Sequence, residues 1–105
     1  MLIYNTTFHV SGGERMYGLF LDFMYEIYMP GAAASPYLKN TRFVSLITNL
    51  GDDVSGYALM SDVENIAGLK RWKKETEEAL LSLLYKRFGE SVLTFSTAMK
   101  VMKTC

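Results

Sequence analysis

The chain has 105 residues, half of them hydrophobic and 21% charged, a composition typical of a single globular domain spanning residues 1–105. Its 11 basic and 11 acidic residues balance, which removes the attraction that dominates binding to nucleic acids and anionic membranes. We therefore expect neither a nucleic-acid nor a membrane partner. The sequence shows no secretory signal and no apolar stretch of membrane-spanning length, so we expect a cytoplasmic protein.

The alternation of residues 2–10 predicts a first strand with two different faces. Its even positions are mostly apolar, as expected for side chains that cover a core. Its odd positions include Asn5, Thr7 and His9, the only histidine of the chain. We expect the even side to lie beneath helices and the odd side to stay uncovered by its own subunit.

Residues 14–29 predict a first helix with one narrow polar stripe, and Pro30 and Gly31 are expected to end it. A helix that is apolar around most of its circumference indicates contact with a second subunit or a covering loop. The connection over residues 31–40 follows and contains Tyr37.

Residues 41–50 and 54–60 predict two strands of an antiparallel hairpin, joined by turn residues at 49–53. A second helix, capped by Ser61 or Asp62, is predicted to run to Phe88 and to end at Gly89. Residues 92–102 predict the last strand, with its odd positions forming the more apolar face. The charged side of the second helix, which we expect to face solvent, carries Lys70, Arg71, Lys73, Lys74, Glu75, Glu77 and Glu78.

The resulting order β-α-β-β-α-β predicts an α+β domain of ferredoxin-like architecture: a four-stranded antiparallel sheet with two helices on one face. The other face of such a sheet must meet water, a ligand or another subunit.

Three short stretches resemble a known family. They are residues 2–5, Phe23-Met24 with Pro30, and residues 87–89 leading into residues 92–95. Together they resemble a family of short bacterial proteins known only as a domain of unknown function, related to the dimeric α+β-barrel superfamily. The resemblance implies a ferredoxin-like protomer whose open sheet face packs against its copy, as in the antibiotic-biosynthesis monooxygenases. Many members carry a histidine at the position of Tyr28, so no catalytic residue is carried over there.

The candidate site centres on His9, whose imidazole titrates near neutrality and suits a general base. Asn5 and Thr7 share its face, and the last strand is expected to add Thr94 and Ser96. Tyr28 and Tyr37 belong to a tyrosine-rich region around the first helix and its exit loop, and tyrosines are enriched in interfaces and aromatic-ligand pockets. The plainer interpretation is that the strand residues are half-exposed or line a dimer seam.

Two functions stay open on this sequence. The first is a homodimer of this chain that serves as a small-ligand or partner-binding module. The alternative is a cofactor-independent monooxygenase or isomerase acting on a small aromatic or lipophilic substrate, with His9 as base and Asn5, Tyr28 or Tyr37 orienting it. We expect no cofactor and no metal, since the acidic pairs come without His or Cys at ligand spacing.

RNA-recognition domains share this order of elements, but the balanced charge and Ser55, at the position where their second motif usually begins with a basic residue, argue against RNA binding. It would require Tyr4 and Tyr57 to project from the open face of the sheet. That register would send the polar odd side of the first strand under the helices, where its groups would need partners.

Overall fold

The computed structural model describes residues 1–47, 51 and 53–105. The predicted order of elements is confirmed. The strands are β1 (Leu2–Ser11), β2 (Lys39–Ser45), β3 (Val54–Val63) and β4 (Val92–Lys100), with helix α1 over residues 14–33 and helix α2 over residues 66–88.

The four strands form one antiparallel sheet in the order β2-β3-β1-β4. β1 lies inside the sheet and pairs with β3 on one side and β4 on the other. Its even residues from Tyr4 to Val10 are buried, while its odd residues from Ile3 to His9 are half-buried. The predicted assignment of the two sides of β1 is therefore correct.

Helix α1 continues through Pro30, so the predicted end at this residue is wrong. It consists of Glu14–Phe23, a wider π-helical turn over Met24–Tyr28, and Met29–Ala33. In the π turn the Met29 amide donates to the Met24 carbonyl. The return from π to α bonding leaves one carbonyl without an amide donor, and Pro30, which has no amide hydrogen, lies at this point.

Helix α2 is capped by Asn65, whose side-chain oxygen accepts a 2.8 Å hydrogen bond from the Gly68 amide. Ser61 and Asp62, the predicted caps, belong to β3, which is longer than predicted. A second π turn, Lys73–Glu77, interrupts α2, which ends as predicted before Gly89.

β2 begins two residues earlier than predicted and ends at Ser45. The predicted end of this strand and much of its turn fall on residues 48–50 and 52, which lie outside the described residues.

The core lies between the helices and the even side of β1. Phe8 is fully buried. The centroid of its ring lies 5.5 Å from the ring centroid of Phe20 and 5.7 Å from that of Tyr28. The two helices approach closely at Gly31, where an added Cβ would lie 3.2 Å from a methyl carbon of Leu80. The largest fully buried side chains are Trp72, Tyr28, Phe8, Phe20, Phe23, Met24, Leu84, Val10, Val63 and Val92.

Candidate functional site

Three of the predicted site residues lie together on the open face of the sheet. The side-chain amide of Asn5 donates a 3.1 Å hydrogen bond to the Thr7 hydroxyl. The ring of His9 lies edge-on to Phe95 of β4, with 5.2 Å between the ring centroids. His9 therefore packs against an apolar neighbour.

Thr94 and Ser96 do not join these residues, and this part of the predicted grouping is wrong. Directly paired residues of neighbouring strands project from the same face of a sheet. In the register of β1 and β4, Thr94 pairs with Phe8 and Ser96 pairs with Thr6, so both project from the helix side.

Tyr28 and Tyr37 are also separate from His9. Tyr28 is buried on the helix side, against Phe8, and the sheet separates it from the imidazole. Tyr37 lies in the connection between α1 and β2, with the guanidinium carbon of Arg71 5.5 Å from its ring centroid. The predicted constellation of His9 with these tyrosines does not form, and a basic role for His9 stays a prediction.

Three cavities of about 260, 240 and 450 Å³ surround the connection between β3 and α2, and Glu64 lines all of them. Tyr37 and Arg71 line the second of them. His9 lines none of these three.

A polar cluster that the sequence analysis missed lies on the helix side of β1. The Tyr4 hydroxyl donates a 2.6 Å hydrogen bond to Oε2 of Glu77, and the Trp72 indole Nε1 donates to the same oxygen at 3.2 Å. Glu77 is only 6% exposed. The Lys73 ammonium lies 5.2 Å from the centroid of the Tyr4 ring. The carboxylate is thus held in place by two donors from two different elements.

Two hydroxyl groups lie close to the Tyr4 phenol. Thr6 and Ser96 share a 3.1 Å hydrogen bond across β1 and β4. Burial, together with the hydrogen bond to Glu77, raises the pKa of Tyr4 to about 12, although the nearby hydroxyls of Ser96 and Thr6 oppose this shift. Burial, reinforced by the charge of Glu77, also raises the pKa of Tyr28 well above its ordinary value. Both phenols therefore stay neutral and can act as hydrogen-bond donors.

The π turn of α2 explains why Glu77 was wrongly assigned to the solvent-facing side. If α2 were an uninterrupted α-helix, Thr76 would lie on the same buried stripe as Trp72 and Leu80, because it is four residues from each of them. The π turn adds one residue to this turn of the helix, and Glu77 is buried where Thr76 would have been. The seven-residue interval from Glu77 to Leu84 was the available signal, because it places both residues on one stripe.

The model of one protein family matches residues 1–102 of this chain, and that family is described as a domain of unknown function, DUF4286. The chain belongs to the DUF4286 family. The resemblance inferred from the sequence is confirmed. No curated protein sequence matches this DUF4286 chain.

Solved structures show the same fold. An ethyl tert-butyl ether d (EthD) family protein from Bacillus halodurans has a TM-score of 0.69 and 10% identity over 97% of this chain and all of its own. HapK from Hahella chejuensis has a TM-score of 0.68 and 8% identity, covering 100% of this chain and 96% of HapK. A dimeric ferredoxin-like protein from an uncultured marine organism has a TM-score of 0.68 and 9% identity, covering 98% of each chain. The predicted ferredoxin-like class is confirmed.

Two features are absent from residues 1–47, 51 and 53–105. No helix in these ranges is both long and apolar enough to cross a membrane. No three His, Cys, Asp or Glu side chains in the same ranges come together as a metal ion would require.

Proposed function

We propose that this DUF4286 protein acts as a homodimeric binding module in which a second copy covers the open sheet face. The observation that carries the proposal is the apolar surface of β4. Leu93 and Phe95 are 52% and 54% exposed, and Met99 is exposed on the same face. In a single chain these side chains have no helix above them. Several large apolar side chains exposed on one face are typical of an interaction site.

The charge distribution favours a partner of the same surface. The described open-face residues of β1 and β4 include no Lys, Arg, Asp or Glu. Depletion of charged residues is the compositional sign of an interface centre. The net charge of zero also means that two copies do not repel each other.

The size of the face is adequate for self-association. Four strands of about nine residues cover roughly 19 by 30 Å, and a standard interface buries about 800 Å² on each partner. Side-chain relief makes the accessible surface larger than this projected area. The similar fold of proteins described as dimeric ferredoxin-like proteins supports the same arrangement.

Within this proposal His9 and Phe95 form part of the dimer seam. His9 is half-buried already in one chain and has Phe95 beside it. A second copy on this face leaves the helix side free for a small ligand.

Sedimentation equilibrium of the wild type, Phe95→Lys and Leu83→Lys tests the dimer. We expect the wild type to be a dimer at micromolar concentration and Phe95→Lys to be a folded monomer, because the lysine charge would be buried in the interface. Leu83 is exposed on the outer side of α2, so Leu83→Lys is the matched control and should remain dimeric. A monomeric wild type, or two variants with the same mass, would overturn the proposal.

A further inference from the structure

The helix side of β4 is not fully covered by α2. Ser96 and Ala98 are exposed there, although their partners on β1, Thr6 and Tyr4, are buried. We call the space between this exposed part of β4 and α2, above β1, the groove. The wall formed by α2 is a stripe of residues at four-residue spacing: Lys73, Glu77, Leu81 and Tyr85.

Contacts at the two ends of this stripe define the groove. Lys73 and Glu77 reach Tyr4 on the floor, and the Tyr85 hydroxyl contacts the Thr94 hydroxyl on the opposite wall. Between these contacts lies the stretch where Ser96 is exposed.

The hydroxyl of Tyr28 lies close to residues of the groove. Tyr28 is only 1% exposed, and its hydroxyl makes no hydrogen bond to any of the described residues. Since no fully buried side-chain oxygen in the described structure lacks a partner, the small exposed area of Tyr28 includes this hydroxyl oxygen. The ionisable groups that act on it are Glu77, Tyr4 and Tyr85, all of them around the groove.

Glu77 offers a matching acceptor. Tyr4 and Trp72 both bind its Oε2, while Oε1 has no hydrogen-bond donor among the described residues. By the same reasoning Oε1 keeps part of the small exposed area of Glu77. A carboxylate oxygen accepts and does not donate, so an occupant must bring a donor to it.

The charged side chains beside the groove restrict the charge of a molecule that could bind there. Glu77 opposes an anion in the groove, and the Lys73 ammonium above Tyr4 opposes a cation. A neutral hydroxyl group donates to a carboxylate and accepts from a phenol at the same time. The leucine and alanine of the two walls suit an apolar body.

We propose that the groove between α2 and β4 binds a small uncharged molecule with a hydroxyl group on an apolar body, the hydroxyl donating to Glu77 and accepting from Tyr28. The site uses only the helix side of the sheet, so it does not depend on the proposed dimer.

Three probes with the same ring test the ligand class: cyclohexanol, cyclohexanecarboxylate and cyclohexylammonium. Trp72 is the only tryptophan of the chain and donates to Glu77, so its fluorescence reports directly on the site. We expect a saturable change with cyclohexanol and at least roughly tenfold weaker binding of both charged probes. An unsaturable response to cyclohexanol, or equal binding of either charged probe, would overturn the assignment.

Two tyrosine variants locate the site. Tyr28→Phe removes the unpartnered hydroxyl without breaking a hydrogen bond in the described structure, and we expect it to weaken cyclohexanol binding about fivefold. Tyr25→Phe, on the exposed side of the same helix, should leave the affinity unchanged. Equal affinities of the two variants would contradict the site. Sedimentation of both variants keeps this result separate from any failure of the dimer.

Discussion

The two faces of the sheet use the same strand in different ways. On the helix side, Tyr4, Thr6 and Phe8 are buried, and both polar side chains have fixed partners in Glu77 and Ser96. On the open side the odd residues of β1 from Ile3 to His9 are half-buried, and β4 presents the large exposed apolar side chains of Leu93, Phe95 and Met99 beside them. One face is therefore completed within the chain, whereas the other leaves its apolar surface in contact with water unless a second molecule covers it.

The largest expected difference in the free energy of unfolding is between alanine variants of two phenylalanines, one on each face of the sheet. Phe8→Ala should reduce the free energy of unfolding by about 3–5 kcal/mol, because Phe8 is fully buried against two rings. Phe95→Ala should cost less than about 1 kcal/mol in dilute solution, where the side chain is half exposed. Urea unfolding followed by Trp72 fluorescence measures both. Similar losses in dilute solution would remove the distinction between the faces.

Two glutamates of α2, Glu77 and Glu75, allow the effect of a buried carboxylate to be compared with that of an exposed one. Glu77→Leu should reduce the free energy of unfolding by about 2–4 kcal/mol, since it leaves the Tyr4 hydroxyl and the Trp72 indole N–H buried without an acceptor. Glu75→Leu removes an exposed ion pair with Arg71 and should leave stability nearly unchanged. Adding Tyr4→Phe to Glu77→Leu should restore part of the loss. Equal stability of the two single variants would argue against the buried cluster.

The helix side should also respond to alkaline pH. The raised pKa of Tyr4, about 12 in the folded chain, means that the folded state holds this proton more tightly than the unfolded state. The contribution to stability is fully present below pH 10 and is lost as the pH rises from 10 through 12. Urea unfolding at pH 9 and pH 11 should show this loss, and Tyr4→Phe should reduce it. An unchanged pH dependence in the variant would contradict the burial of the phenol.

The smallest expected difference in the free energy of unfolding is between valine variants of two adjacent threonines. Thr6→Val removes the hydrogen bond to Ser96 and should cost about 1 kcal/mol. Thr7→Val, on the open face, should change the free energy of unfolding by less than about 0.5 kcal/mol. Thermal or urea unfolding of the two variants in parallel measures the difference. A larger cost at Thr7 would show that the open-face hydroxyls are structurally important.

Much of the fold followed from local patterns. The alternation in β1 correctly placed Phe8 inside, and Gly89 correctly ended α2 with a positive φ of 56°. The end of α1 was wrong because a π turn, which depends on packing, accommodates Pro30. The cap of α2 was wrong because β3 extends to Val63 by pairing with Leu2.

The candidate site was less predictable. Asn5, Thr7 and His9 share a face because they alternate within one strand, and this follows from the chain alone. The face of Thr94 and Ser96 depends on the register between strands more than 80 positions apart. Glu77 was missed because one extra residue in a helical turn rotates everything after it relative to what precedes it.

The amino-acid sequence by itself determined the order of the strands and helices, the buried side of β1 and the family. These depend on periods of two and 3.6 residues and on turn residues, which act over short stretches of chain. Only the tertiary structure decided that Tyr4, Trp72 and Glu77 meet, and that the tyrosine and histidine of the predicted site lie on opposite sides of the sheet. Such contacts join residues far apart in the chain, and a shift of one residue in register or helical phase changes which of them form.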